Sequence, residues 1–400
     1  MTQGFDCDVA IVGGGPAGAS TALHLVHDVG IRPDRVLVLD KAKFPRDKPC
    51  AGAISTFGLS TLRDLGVPLG VDHVPMTGLR ILADGNVGET SCELGVVVRR
   101  RDFDAHLLEE VRRAGVDVRD GEGVVRMDKA SGGFRLETSL GRSLSARYVA
   151  ACDGTNGTTR RLLGLAEPAR KGHLYVLETE PRATDEGVLR GCIDFDLSVV
   201  ADGLAGYYWD FPTVIEGRSF VSRGIYDANL NREKREVKGS LLRALSRRGV
   251  DAANVKLSAF STRPLVRGST FWMPRVLFVG EALGIDRATG EGIAQAIVMG
   301  RMAARHLARA LRTGGTTFEG YEREVVSSTM GRHLLESAWL AEHVYGGSTG
   351  KVARHYLLRS AFAREAGAQW YSGESLSLLV KVRLFTGLAK SAMGRALSRP

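Results

Sequence analysis

The 400-residue sequence predicts an α/β fold: a Rossmann-type dinucleotide-binding unit, an inserted β-rich unit and a helical C-terminal tail. Three observations predict it. Residues 8–12 (DVAIV) form a β-branched apolar run leading into Gly13-Gly14-Gly15-Pro16-Ala17-Gly18; helical spacing follows over 19–29, and a second apolar run over 36–39 ends on Asp40. Strand-like pieces dominate residues 172–265. Residues 316–400 return to helical spacing.

Each part of the first segment has a physical role. Gly13 permits the tight turn, Gly15 lets backbone approach a pyrophosphate, and Gly18 lets the helix pack closely on the strand. The helix N-terminus presents free N–H groups to the phosphates. Asp40 lies 22 residues after Gly18 and can accept hydrogen bonds from ribose hydroxyls. The register of strand, turn, helix and acid points to a bound dinucleotide.

The remaining elements follow in order. Residues 44–55 (FPRDKPCAGAIS) are a loop with two prolines, a basic cluster and a cysteine, and residues 78–98 hold short strand-like runs. Arg99-Arg100-Arg101 precedes a helix from 102 to about 114. Strands are expected at 116–118 and 123–127, with hairpins around Gly132-Gly133 and Gly141 and a buried strand over 147–154. Within the β-rich stretch, strands fall at 173–179, 191–195, 207–211 and 219–226, interrupted by a helix near 233–249. A buried strand at 276–279 and a helix over 292–312 resume the nucleotide pattern. The nucleotide unit is therefore discontinuous: 1–73, 99–160 and 270–312 enclose a substrate unit of 74–98 and 161–269, and 313–400 form the helical tail.

The net charge of +9 suits anionic substrates, anionic lipid surfaces or nucleic acid. No nucleic-acid-binding motif accompanies it, so no nucleic-acid partner is expected. No run of 18 apolar residues predicts a membrane span, and no signal peptide is expected. Cys7, Cys50, Cys92, Cys152 and Cys192 are scattered without C-x-x-C spacing, which argues against a zinc site or disulfide framework and for the reducing cytoplasm. Residues 375–400 carry Lys381, Arg383, Lys390, Arg395 and Arg399 without an acid, and Leu378, Val382, Phe385, Ala389, Met393 and Ala396 share a helical face. That face suits either peripheral contact with an anionic membrane or packing on its own protein.

Four segments carry a family resemblance. They are the fingerprint, the FPRDKPCAGAIS loop, Gly206-Tyr207-Tyr208-Trp209-Asp210-Phe211-Pro212 (a Y-x-W-x-F-P signature), and Gly280-Glu281-Ala282-Leu283-Gly284 with Gly290-Glu291-Gly292-Ile293. Over roughly residues 5–310 the sequence resembles the geranylgeranyl reductase family of FAD-dependent oxidoreductases, within the p-hydroxybenzoate hydroxylase fold. Glu281 departs from the usual Asp, and Arg287 stands near the usual Pro, which is expected to loosen the turn beside the flavin.

The resemblance implies FAD, with the external reductant (NADPH, NADH or ferredoxin) left open. It implies that Gly13, Gly15, Ala17, Gly18, Asp40 and Lys41 serve the ADP half, and that Cys50 and Ala51 lie near the isoalloxazine. Arg100, Val124, Asp153, Gly154 and Glu281 join the cofactor contacts, and Gly292 and Ile293 would offer N–H groups to the flavin N1–C2=O edge. The implied reaction is reduction of carbon–carbon double bonds in a hydrophobic isoprenoid. Cys50 would assist proton delivery, or simply fill its loop. Tyr207 and Trp209 share a strand face and would wall the isoprenoid cavity, or form ordinary β-core. A monooxygenase or halogenase is the alternative, because Y-x-W-x-F-P also resembles W-x-W-x-I-P; a further one is a non-catalytic FAD-bound partner at a membrane surface.

Overall fold

The computed structural model describes residues 4–83, 85–167, 170–230, 235–252 and 255–397, the side chains of 348, 349 and 394–397 excepted. Cys7–Val12 is a central strand of an eight-stranded sheet, as its apolar run Val9–Val12 requires when both faces are covered. Val36–Asp40 and Ser143–Ala151 flank it in parallel, with Val9 opposite both Val36 and Tyr148. The sheet continues to Asp117–Asp120 on one side and to Val276–Phe278 and Trp272–Met273 on the other. The hairpin of Val124–Ala130 and Gly133–Thr138 joins it along Ser143–Ala151.

The first helix begins at Pro16, three residues earlier than expected, because proline needs no N–H partner in a first turn. It ends at Leu23 and passes into a π turn, His24–Asp28, where the Val29 N–H reaches the His24 carbonyl. A Cβ on Gly18 would lie 1.8 Å from the Gly13 carbonyl oxygen, and Gly13 holds φ +109° against Cys152. Both positions therefore require glycine. This helix packs against Ile293–Thr313 and Arg100–Arg113.

The second sheet runs Ser258–Thr262, Gly172–Thr179, Arg218–Asp227, Gly206–Ile215, Cys192–Asp196, His73–Ala83, Asn86–Val98 and Ala53–Ser55. The short runs expected within 78–98 are two long strands, His73–Ala83 and Asn86–Val98, joined across a bulge between Met76 and Gly78. Glycines that interrupt the sequence pattern are absorbed by pairing on both sides. Ala53–Ser55 pairs with Asn86–Val98, so the segment just after Cys50 joins this second sheet.

Among the described residues five helices follow residue 320: Tyr321–Ser327, Thr329–Tyr345, Gly347–Arg359, Ala361–Tyr371 and Leu378–Leu397. Ala361–Tyr371 packs on Asn86–Val98, and an apolar core forms between the second sheet and these helices. None of the described helices is long and apolar enough to cross a membrane. Along Leu378–Leu397 part of the expected apolar face turns outward: Leu378 is 76% exposed, Val382 51% and Met393 59%, while Phe385 packs on Trp339 at the cavity edge. Leu384 and Leu388 turn inward instead. Arg399 and the side chains of Arg395 and Ala396 lie outside the described residues.

Candidate functional site

The ends of the first-sheet strands and the loop over residues 44–52 enclose a cavity of about 420 Å³. Gly13, Gly15, Ala17, Asp40, Lys41, Cys50, Arg100, Val124, Asp153, Gly154, Glu281, Gly292 and Ile293 all line it. Gly18 sits behind it in the helix–strand contact, and Ala51 faces a neighbouring cavity. Two helices, Pro16–Leu23 and Ile293–Thr313, open into this space from Gly15 and Gly292, neither with a side-chain cap. Their first-turn N–H groups need acceptors, and an anion or flavin carbonyl supplies them. Asp40 is fixed at the strand end by the Gly14 N–H (2.7 Å) and the Ala42 N–H (2.8 Å). Above Gly15 a Cβ would meet only Arg46 Nη2, at 3.4 Å, so the space over the turn is open. These residues fit a dinucleotide.

Arg46 is a residue the sequence reading passed over. Its guanidinium stacks on Phe44 and reaches Asp104, with Nη2 3.1 Å from Oδ2, beside the glycine turn. The signal was the basic cluster in the F-P-R loop. Arg100, expected to reach the cofactor, is buried and commits Nε and Nη2 to Asp104 at 2.8 Å each. Its spacing of four residues from Asp104 on one helix makes that pairing local.

Lys48 pairs across the cavity with Glu281. Its Nζ lies 3.2 Å from Glu281 Oε2 and over the Phe260 ring. Burial pulls the Lys48 ammonium below its usual range despite that carboxylate. The extra methylene of Glu281, relative to Asp, extends its reach across the cavity. Cys50 Sγ accepts the Gly52 N–H at 3.4 Å. Asp153 Oδ2 accepts the N–H and hydroxyl of Thr159, while Oδ1 is buried without a partner among the described residues; burial pushes this carboxyl up.

The turn after Ile285 is pinned, contrary to the loosening expected from the missing proline. Asp286 Oδ1 accepts the N–H groups of Ala288 (2.6 Å) and Thr289 (2.9 Å), and Ser337 Oγ accepts those of Arg287 and Ala288. Three tyrosine hydroxyls donate to consecutive carbonyls: Tyr226 to Arg287, Tyr345 to Ala288 and Tyr207 to Thr289. His333 Nε2 stands 3.3 Å from Asp286 Oδ2, and its ring stacks on Trp370. Burial lowers the imidazole's affinity for protons, but Asp286 more than offsets this and holds the His333 pKa above its usual value. Burial pushes Asp286 up as well, and His333 reverses it. The partners come from helix Thr329–Tyr345, so no local pattern announced them.

Glu291 follows that turn. Its Oε2 accepts from Gln295 Nε2 at 3.1 Å, Oε1 is buried without a partner among the described residues, and burial raises the carboxyl to about 7.

Tyr207 and Trp209 line neither the dinucleotide cavity nor the apolar cavity beneath the C-terminal helices. Both are buried, 6% and 2% exposed: Tyr207 packs on Phe195 and holds the Thr289 carbonyl, and Trp209 fills the space over Gly224. The apolar cavity, about 650 Å³, lies one layer away between the second sheet and the C-terminal helices. Leu79, Ile81 and Phe195 form its sheet side; Trp339, Trp370, Tyr371 and Phe385 form its helical side. These helical residues lie 260 to 306 positions along the chain from Leu79, so sequence pattern alone could not bring them onto one wall. Ala288 and Thr289 line this cavity, and Gly290, Gly292 and Ile293 line the dinucleotide cavity, so one turn borders both.

Comparison with known proteins gives the same outline. The family described as FAD binding domain matches residues 6–324. The digeranylgeranylglycerophospholipid reductase of Thermoplasma volcanium is 26% identical over 365 residues, covering 84% of this chain and 86% of that protein. A geranylgeranyl bacteriochlorophyll reductase-like protein of Thermoplasma acidophilum superposes with TM-score 0.75 at 22% identity, covering 96% of both chains. The flavin-dependent halogenase CmlS superposes with TM-score 0.64 at 20% identity, covering 94% of this chain and 70% of that one.

Proposed function

We propose, for a chain that belongs to the FAD binding domain family, that it is an FAD-dependent oxidoreductase which reduces carbon–carbon double bonds of an isoprenoid chain. One observation carries the reading: the turn over residues 288–293 borders the dinucleotide cavity on one side and a 650 Å³ apolar cavity on the other. A long apolar chain binds by contact area, and a cavity of this size and lining suits one. The similarity to a digeranylgeranylglycerophospholipid reductase supports the same substrate class.

FAD, when bound, supplies the hydride chemistry. The residues of this chain bind, orient and exclude water. Asp40 and the helix beginning at Pro16 would hold the ADP half, with Arg46 beside the diphosphate. The helix beginning at Ile293 would stabilise negative charge on the ring. Asp286, Ser337 and the three tyrosines keep the intervening turn rigid. Cys50, at the cavity wall, is the candidate for assisting proton transfer to the alkene.

The apolar outward face of Leu378–Leu397, with Arg383 and Lys390 on a helix that carries no acid, supports peripheral contact with an anionic membrane such as the cytoplasmic surface presents. Its inner face closes the apolar cavity, so a lipid substrate would enter from that surface.

The test is mass analysis of lipids from a host expressing the chain. Gain of two hydrogens per saturated bond is the expected result. Oxygen-dependent incorporation of oxygen or halogen into an aromatic acceptor would favour the monooxygenase or halogenase reading instead.

A further inference from the structure

A third cavity, about 360 Å³, adjoins the dinucleotide cavity across the Lys48–Cys50 segment. Five cationic residues line it (Lys48, Arg99, Arg100, Arg101 and Lys256) against two acids, Asp47 and Glu178. Three of the cations are loosely answered. Arg99 stands 3.6 Å from Glu178; Arg101 and Lys256 share Asp47 at 3.8 and 3.7 Å. These separations exceed hydrogen-bond length, and none of the three side chains makes a hydrogen bond among the described residues. The fourteen-residue helix Arg100–Arg113 begins at this cavity from Arg99 without a side-chain cap, which adds the positive end of a helix dipole. The hydroxyls of Thr213, Ser222 and Ser258 line the same space.

The position is informative. Tyr207, Trp209, Phe211 and Thr213 alternate along Gly206–Ile215 and share one face of the second sheet. Phe195, which lines the apolar cavity, pairs with Trp209; Thr213, four residues further on, lines the cationic cavity. One sheet face thus has an apolar cavity at one end and a cationic, hydroxyl-rich cavity at the other, with the dinucleotide cavity alongside.

We infer that the cationic cavity is a phosphate-recognition site, taking a phosphate ester or diphosphate of a ligand whose reactive part lies at the neighbouring dinucleotide cavity. Two ligands carry that chemistry: an isoprenoid with a phosphorylated head group, and a nicotinamide dinucleotide reductant. Arginine forks and a helix N-terminus are the groups that bind phosphate well.

The test uses the full chain loaded with FAD, so that the cofactor's own diphosphate subsite is filled. Inorganic pyrophosphate is titrated calorimetrically at low and high salt, against the parent and against Arg99→Ala/Arg101→Ala and Lys256→Ala. Pyrophosphate is expected to bind the parent in a salt-dependent way, with about tenfold weaker binding to the double variant, the scale of a lost charged hydrogen bond. Lys256 is 83% exposed, so its variant will fold even if the double variant does not, and a severalfold loss is expected there. FAD content and melting temperature should match the parent. Two further ligands separate the sources. A tenfold loss for an isoprenoid diphosphate, with no loss for the matching alcohol, assigns the site to the lipid head group. A tenfold loss for NADPH assigns it to the reductant. Absence of pyrophosphate binding, or equal binding by the parent and Lys256→Ala, overturns the inference. The pyrophosphate result does not depend on the isoprenoid reading, which would fail separately if no reduced lipid were found.

Discussion

Lys48 Nζ lies 3.2 Å from Glu281 Oε2, joining the loop over residues 44–52 to the turn that follows strand Val276–Phe278. Each side chain is 16% exposed, so neither charge is well solvated. Glu281→Ala leaves the ammonium without its counter-ion. It should destabilise the protein by about 2 kcal/mol, below the range for a fully buried pair because some solvent reaches both groups. FAD should also dissociate more readily. Denaturant melts and flavin retention on a desalting column measure both, and a variant with parental stability would remove the pair from the list of important contacts.

Gly15 and Gly18 separate binding from folding. A Cβ at Gly18 would lie 1.8 Å from backbone, whereas at Gly15 it would meet only the end of Arg46 at 3.4 Å. Gly15→Val should therefore fold and lose FAD, because the side chain occupies the cofactor's space. Gly18→Ala should lower solubility or melting temperature. A Gly15→Val protein that retains full flavin absorbance per mole would contradict the proposed role of the turn.

Tyr207→Phe removes a single hydroxyl and leaves the Thr289 carbonyl without it. An unsatisfied buried acceptor costs about 1–3 kcal/mol. Weaker FAD binding with little change in the apolar cavity is expected, since Tyr207 does not line it. If long-chain substrates alone lost affinity while FAD binding stayed constant, Tyr207 would belong to the substrate wall.

Glu291 predicts a pH dependence. Burial raises its carboxyl from 4.5 to about 7 in the folded chain. Between those values the folded state binds the extra proton, so stability falls as pH rises from about 4.5 to about 7, by roughly 3 kcal/mol in total. Glu291→Gln should flatten that slope and be the more stable protein at pH 8. His333, with its raised pKa, loses stabilisation in the same direction as pH rises, so the comparison is the difference between parent and variant. Parallel stability curves for the two proteins would count against the buried carboxyl.

The outward apolar face of the last helix predicts vesicle binding. Leu379 is 82% exposed and Val382 51% exposed. Leu379→Glu/Val382→Glu should reduce cosedimentation with vesicles containing anionic phospholipid, because each places a charge in the acyl boundary. The parent should bind neutral vesicles less well. Identical sedimentation of parent and variant would return this face to an ordinary exposed surface.

The sequence by itself determined the dinucleotide half. Its signal is local: the strand, the glycine turn, the helix and Asp40 occupy one continuous βαβ segment, and each residue type answers a steric or hydrogen-bonding demand within it. The distant Gly280–Ile293 segment was legible for the same reason, as a turn opening a helix. The tertiary structure decided the rest. Tyr207 and Trp209 share a strand face as their alternation requires, but whether that face meets a ligand or other side chains depends on what packs over it. The covering helices lie far along the chain. His333 and Ser337 reach Asp286 from 47 and 51 residues away, and Trp370 and Tyr371 reach the strand of Leu79 from still further. Periodicity reports which side of an element is apolar; it does not report its partner, because burial is non-directional and any apolar surface satisfies it. Only the assembled fold chose the turn at 286–289, rather than a substrate, as what the signature tyrosine holds.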